Sequence, residues 1–233
     1  MKLNHLASKT GKHFLGIATF YFAFIAIVSA QSNVSFEATQ IFANAKYVSN
    51  GKVDPNYQVI GTNGFTLAFD HVFVKGFVVG GAIGMQNMGT QYVDKGVNSI
   101  GNVTYNFQYI NFRGYVGYEF NKYRLMPFAY FSPYYAYLLK SSTFSTISIN
   151  STGNIGDPKG ENTVINSDYG FMVNLGVRIE LSDYITVFGS GSYAIGLENI
   201  SNLSDRQAYN RGLIFGLGVS ATITKKPAQW IQF

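Results

Sequence analysis

The sequence predicts an all-β chain folded as an eight-stranded antiparallel up-and-down transmembrane β-barrel. Three observations predict it. Segment after segment alternates apolar residues with small or polar ones, the pattern of strands whose side chains point to opposite faces. The links between segments are alternately long and short. Charged residues make up only 12% of the 233 residues, about half the ~25% usual in soluble proteins, while aromatics reach 16%.

Residues 1–30 read as a signal peptide. Lys2, Lys9 and Lys12 give a positive start, Phe14 to Val28 is uncharged and mostly apolar, and Val28, Ser29 and Ala30 place small residues before Gln31. This layout predicts cleavage between Ala30 and Gln31 and export through an inner membrane. The apolar run is short for a helical span of ~20 residues. Losing it removes three Lys and no acid, so a net charge of +5 becomes 5 − 3 = +2. A nearly neutral remainder gives no support for nucleic-acid binding. The chain has no cysteine, which excludes a disulfide framework and a lipoprotein anchor.

The barrel is predicted over 31–224 and a tail over 225–233. The first strand covers 34–48, and the turn-rich loop 49–56 leads to the second, 57–70. A short link at 71–76 precedes the third, 77–88; the polar loop 89–102 precedes the fourth, 103–120. Asn121 and Lys122 turn the chain into the fifth, 123–139, and the longest connection is 140–167. The sixth strand is 168–181, Ser182 and Asp183 form a tight turn, and the seventh is 184–198. A polar loop leads to the eighth, 211–224. All long links therefore emerge at one end and all short turns at the other, the asymmetry of outer-membrane barrels.

The faces say which way the apolar side points. In the sixth strand Tyr169, Phe171, Val173, Leu175, Val177, Ile179 and Leu181 form one face against Asp168, Gly170, Met172, Asn174, Gly176, Arg178 and Glu180. In the eighth, Leu213, Phe215, Leu217, Val219, Ala221 and Ile223 oppose Ile214, Gly216, Gly218, Ser220 and Thr222. The second face holds too few charges and too many glycines for a solvated surface, but it suits the narrow interior that eight strands enclose. The apolar face therefore meets lipid. The first, second and fifth strands fit less cleanly, and Pro127 and Pro133 demand interruptions in the fifth.

Chemistry is sparse. His71 alone remains after cleavage, beside a short turn and remote from an outer rim, and no Cys/His cluster offers a metal site or cofactor site. A non-enzymatic protein is expected. Arg113, Glu119, Arg178 and Glu180 fall on inner faces, with Glu37 a further candidate. Buried charges must pair, so these residues are expected to form an ion-pair network that plugs the lumen. The alternative is separate solvation near the barrel mouths, above all for Glu119 and Glu180.

Residues 124–139 (RLMPFAYFSPYYAYLL), 168–181 (DYGFMVNLGVRIEL), 184–200 and 210–223 resemble the PorT-like family of outer-membrane β-barrels, within the small eight-stranded OmpX/OmpA type. The likeness covers the C-terminal half by motif and the N-terminal half by layout. It implies residence in the outer membrane among lipid and lipopolysaccharide, and it allows an accessory role in a protein-secretion (type IX-like) complex with an envelope partner. Asn210 to Leu217 also resembles the last-strand signal read by barrel-insertion machinery, with Gly212, Phe215 and Leu217 in the signal positions. A structural or interaction role through the long loops is the favoured expectation. A lipid-modifying enzyme and a soluble ligand-binding barrel are the other classes.

Overall fold

The computed structural model describes residues 31–224 apart from residues 50, 74–75, 96–98, 121–123, 150–164 and 202–206. The signal peptide with Ala30, and the tail 225–233, lie outside the described residues.

Eight long strands form the wall: β1 (Gln31–Ser49), β4 (Ile60–Val72), β5 (Phe77–Lys95), β6 (Ser99–Glu119), β7 (Leu125–Ile149), β8 (Ser167–Glu180), β9 (Ile185–Gly196) and β10 (Gln207–Thr224). Two short strands, β2 (Lys52–Val53) and β3 (Tyr57–Gln58), lie in the first long link. Chain neighbours in the wall pair antiparallel, and β10 pairs with β1, which closes the ring. Closure leaves no free strand at the edge of the sheet, as a strand structure in lipid requires.

The register fixes the tilt. A row of partners that leaves Phe42 runs through Leu213, Tyr193, Val173, Phe131, Val116, Val79 and His71 and returns to β1 at Ser32. This stagger tilts the strands by roughly 35–45° from the barrel axis, and eight strands leave an interior just wide enough for side chains.

All eight wall strands sort their faces. Phe36, Leu67, Ile83, Phe112, Phe131, Val173, Tyr193 and Phe215 point outward and are exposed, while Ser35, Thr66, Asn111, Ser132, Asn174 and Ser192 point inward and are buried. The first, second and fifth strands obey this rule as well as the others. The exposed outer face is greasier than the interior, the inverse of a water-soluble barrel.

The structure corrects two loop boundaries. β5 continues to Lys95 and β6 begins at Ser99, so most of the expected loop 89–102 is a hairpin. β7 continues to Ile149, well into the expected loop 140–167. These extensions stand beyond the apolar band, so their composition is polar and imitates a loop while their ladders remain paired. A bulge lies between them: Gln108 pairs with Lys140 and Tyr109 with Leu138, which leaves Leu139 unpaired and turns both Leu139 and Lys140 outward. Pro133 does interrupt the ladder, since β6–β7 pairs jump from Arg113↔Tyr134 to Val116↔Phe131. Pro127 interrupts less. It sits at the ladder's end, where its carbonyl accepts the Phe120 amide at 2.8 Å.

Candidate functional site

The lumen is where inward side chains converge, and its half near the short turns is built on charge. Arg178 on β8 is 6% exposed and reaches Asp70 on β4 across the barrel at 3.1 Å. Its other terminal nitrogen lies 3.5 Å from Glu119 on β6. Asp70, fully buried, also accepts hydrogen bonds from Asn33 Nδ2 at 2.7 Å and from the Tyr115 hydroxyl at 3.3 Å. The Tyr130 hydroxyl donates to Glu119 at 3.3 Å. The Arg178 guanidinium lies 5.6 Å from the centre of each of the Phe128 and Phe188 rings, a favourable cation–π distance. Small residues make this fit possible. A Cβ at Gly176 would overlap the Phe128 ring, and one at Gly218 the Phe188 ring.

A second pair lies closer to the middle. Arg113 on β6 donates to Thr66 Oγ1 at 3.0 Å and stands 4.0 Å from Glu37 on β1, which also accepts the Ser190 hydroxyl. Arg113, Tyr115, Arg178 and Phe188 border a cavity of about 60 Å³. Water fits such a volume, at ~10–15 Å³ of probe space each, but a sugar does not. Asn174 ties three strands together above it, donating to Ser132 Oγ and accepting from Ser192 Oγ, both at 2.7 Å.

The half near the long loops is apolar. Ile41, Met88, Phe107, Tyr109, Met172 and Ile214 pack there with small residues such as Ala43 and Ala194. One carboxylate interrupts them: Asp168 accepts from Asn210 Nδ2 at 3.0 Å and from the Tyr134 hydroxyl at 3.1 Å. Tyr47 stacks on Tyr57 with ring centres 4.0 Å apart at the mouth, and Tyr57 meets Tyr92 at 5.0 Å.

The structure thus brings Glu37, Arg113, Glu119 and Arg178 into the lumen. Glu180 does not join the network: it pairs with Thr186 at the last position of β8 and stands exposed at the short-turn rim, the separately solvated alternative. The sequence reading does not single out Asp70, although it is the most connected acid of the lumen. The signal was available, since Phe65, Leu67 and Phe69 face outward and so place Thr66, Ala68 and Asp70 inward. Of the insertion-signal residues, Gly212 faces inward beside Met88, and Phe215 and Leu217 face outward. Gln31 opens β1 and donates to Asn33 at 3.0 Å. His71 lies near the short-turn rim, 2.9 Å from Ser32 Oγ and edge-on to Phe69. No cluster of three or more potential metal ligands occurs among the described residues.

No family model matches the chain, and no curated protein matches it. Solved structures do. The chain is similar to the outer membrane protein OprG from Pseudomonas aeruginosa at a TM-score of 0.51 and 12% identity, over 84% of this chain and 97% of that one. It is also similar to outer membrane protein AlkL, at 0.47 and 15% identity over 88% and 94%, and to Neisserial surface protein A, at 0.45 and 12% over 82% and 97%. The likeness to OprG shows the fold: a small barrel of the outer-membrane type. Membership of the PorT-like family is not shown by these likenesses.

Proposed function

We propose that this chain is a small outer-membrane β-barrel protein, exported with a cleaved signal peptide, that acts as a non-enzymatic structural or interaction protein. The observation that carries the reading is Arg178 held between Asp70 and Glu119 across the lumen. A guanidinium fixed in this way, with two aromatic rings around it, obstructs passage of solutes along the axis. What remains available is the outside: the lipid-facing wall, and the raised strands of β5, β6 and β7 at the long-loop end. Those strands offer a firm paired surface to an envelope partner, where a flexible loop would have to be ordered on binding.

Planar-bilayer recording from the purified barrel tests the reading. The expected trace shows no steady ion conductance. A stable open level passing ordinary salts would overturn the obstructed lumen and turn the function towards transport.

A further inference from the structure

The outer face of the wall carries one polar row. Gln40 on β1 pairs with Asn63 on β4, Asn87 on β5 with Gln108 on β6, and Gln108 with Lys140 on β7. The Asn87 amide donates to Asn63 Oδ1 at 3.2 Å and joins the two halves of the row. These side chains share the outward phase of Phe36, Phe65, Ile83 and Phe112, and Gln40, Asn63 and Lys140 are exposed. Phe65, Met85, Ile110 and Leu139 follow them on the short-turn side, while Phe42 is exposed beyond Gln40 on the long-loop side, so the row crosses the long-loop margin of the apolar band obliquely.

The wall is notched at this place. The β4–β5 ladder ends at Gly64↔Gln86, and pairing resumes only where Gln58 of β3 meets Gln91. Across the gap, the Thr62 hydroxyl donates to the Asn87 carbonyl and the Thr90 hydroxyl to the Gln58 carbonyl at 2.9 Å. The row lines a pocket of about 490 Å³, within the roughly 300–1,000 Å³ of small-molecule sites. Lys140 is the only charged residue of the lining among the described residues, and the rest are mostly carboxamides.

We propose that this pocket binds the phosphorylated saccharide head of an outer-leaflet glycolipid. The inference rests on the outer-membrane reading above. The chemistry of each part fits. Carboxamides donate and accept together, as sugar hydroxyls do. A lysine is a compact charge for a phosphate. Among the described residues the lining has no carboxylate to repel an anion. The apolar outer face below would hold the acyl chains while the head sits at the interface.

Native mass spectrometry of the full chain in phosphatidylcholine nanodiscs tests the site. The probes are lipid A, a bisphosphorylated glucosamine disaccharide, and phosphatidylglycerol, added separately. Lipid A should be retained at one per barrel in preference to phosphatidylglycerol. Lys140→Gln should lower its retention about fivefold, the effect of one lysine at a membrane surface. Lys46→Gln makes the same charge change at an exposed position on β1 outside the pocket and should leave retention unchanged. The pair Asn63→Leu and Asn87→Leu should reduce lipid A and spare phosphatidylglycerol. Equal retention by wild type and Lys140→Gln would overturn the site. So would equal loss with Lys46→Gln, or no preference between the two lipids. Folding is read first, from a band on a denaturing gel that shifts on boiling. A chain with no such band would overturn the outer-membrane reading itself, before any lipid is added.

Discussion

The two halves of the lumen do the same job with opposite chemistry. Near the short turns, Asp70, Glu119 and Arg178 span the barrel as ion pairs braced by tyrosine hydroxyls. Near the long loops, Ile41, Phe107, Met172 and Ile214 fill it by packing, with Asp168 as the one buried carboxylate of that packing. The outer face changes too, apolar over the band that meets lipid and polar at Gln40, Asn63 and Lys140 towards the long loops. The contrast teaches that identity is written on the inside of such a barrel. Charge pairs across the tube specify which strands must face one another, because a wrong pairing strands a charge. Apolar packing stabilises without choosing partners so strictly.

The contrast has consequences that can be broken one residue at a time. Asp70→Ala should have the largest effect. It leaves Arg178 buried with only Glu119 as an ionic partner, and breaking a buried pair costs about 3–5 kcal/mol. The temperature at which the unboiled band shifts on a gel should fall sharply. A shift no larger than that of a surface variant would show that the pairs are idle. Asn210→Ala attacks the other half. It removes one of two side-chain donors to Asp168 but strands no ion pair, so about 1–3 kcal/mol is expected. Urea unfolding in lipid vesicles would rank the two variants, and the reverse order would refute the contrast. Glu180→Gln should be the smallest, within about 0.5 kcal/mol, because that side chain is exposed at the strand end. A large loss would return Glu180 to the lumen network.

Much of this was legible beforehand, for definite reasons. In a chain with so few charges, an Arg or Glu at an inner position of a strand is conspicuous, and alternation alone places Arg113, Glu119 and Arg178. Asp70 escapes because Gly61, Asn63 and Thr62 blur the alternation at the start of its strand. The partner of Asp168 escapes for another reason. Asn210 ends a polar stretch that reads as loop, yet residues 207–210 already belong to β10. Periodicity reports a strand only where its two faces meet different media. The wall above the membrane has water on its outside, so the extensions of β5, β6 and β7 carry no such contrast. The polar row on the outer face is equally silent, because it is a fact of register between strands and not of any one strand.

The glycines against the lumen rings constrain how this protein could change over evolutionary time. Phe128 occupies the space a side chain at Gly176 would need, and Phe188 that of Gly218. Neither glycine can enlarge while its ring remains, and each ring can shrink only by leaving a void beside a guanidinium. A lineage moving from this closed barrel towards a conducting one would therefore have to lose its rings. Its glycines would stay even then, because a Cβ at Gly176 would also meet the Gly189 carbonyl and one at Gly218 the Phe36 carbonyl. The path is set by shape, and descendants with a larger residue at either glycine should be absent.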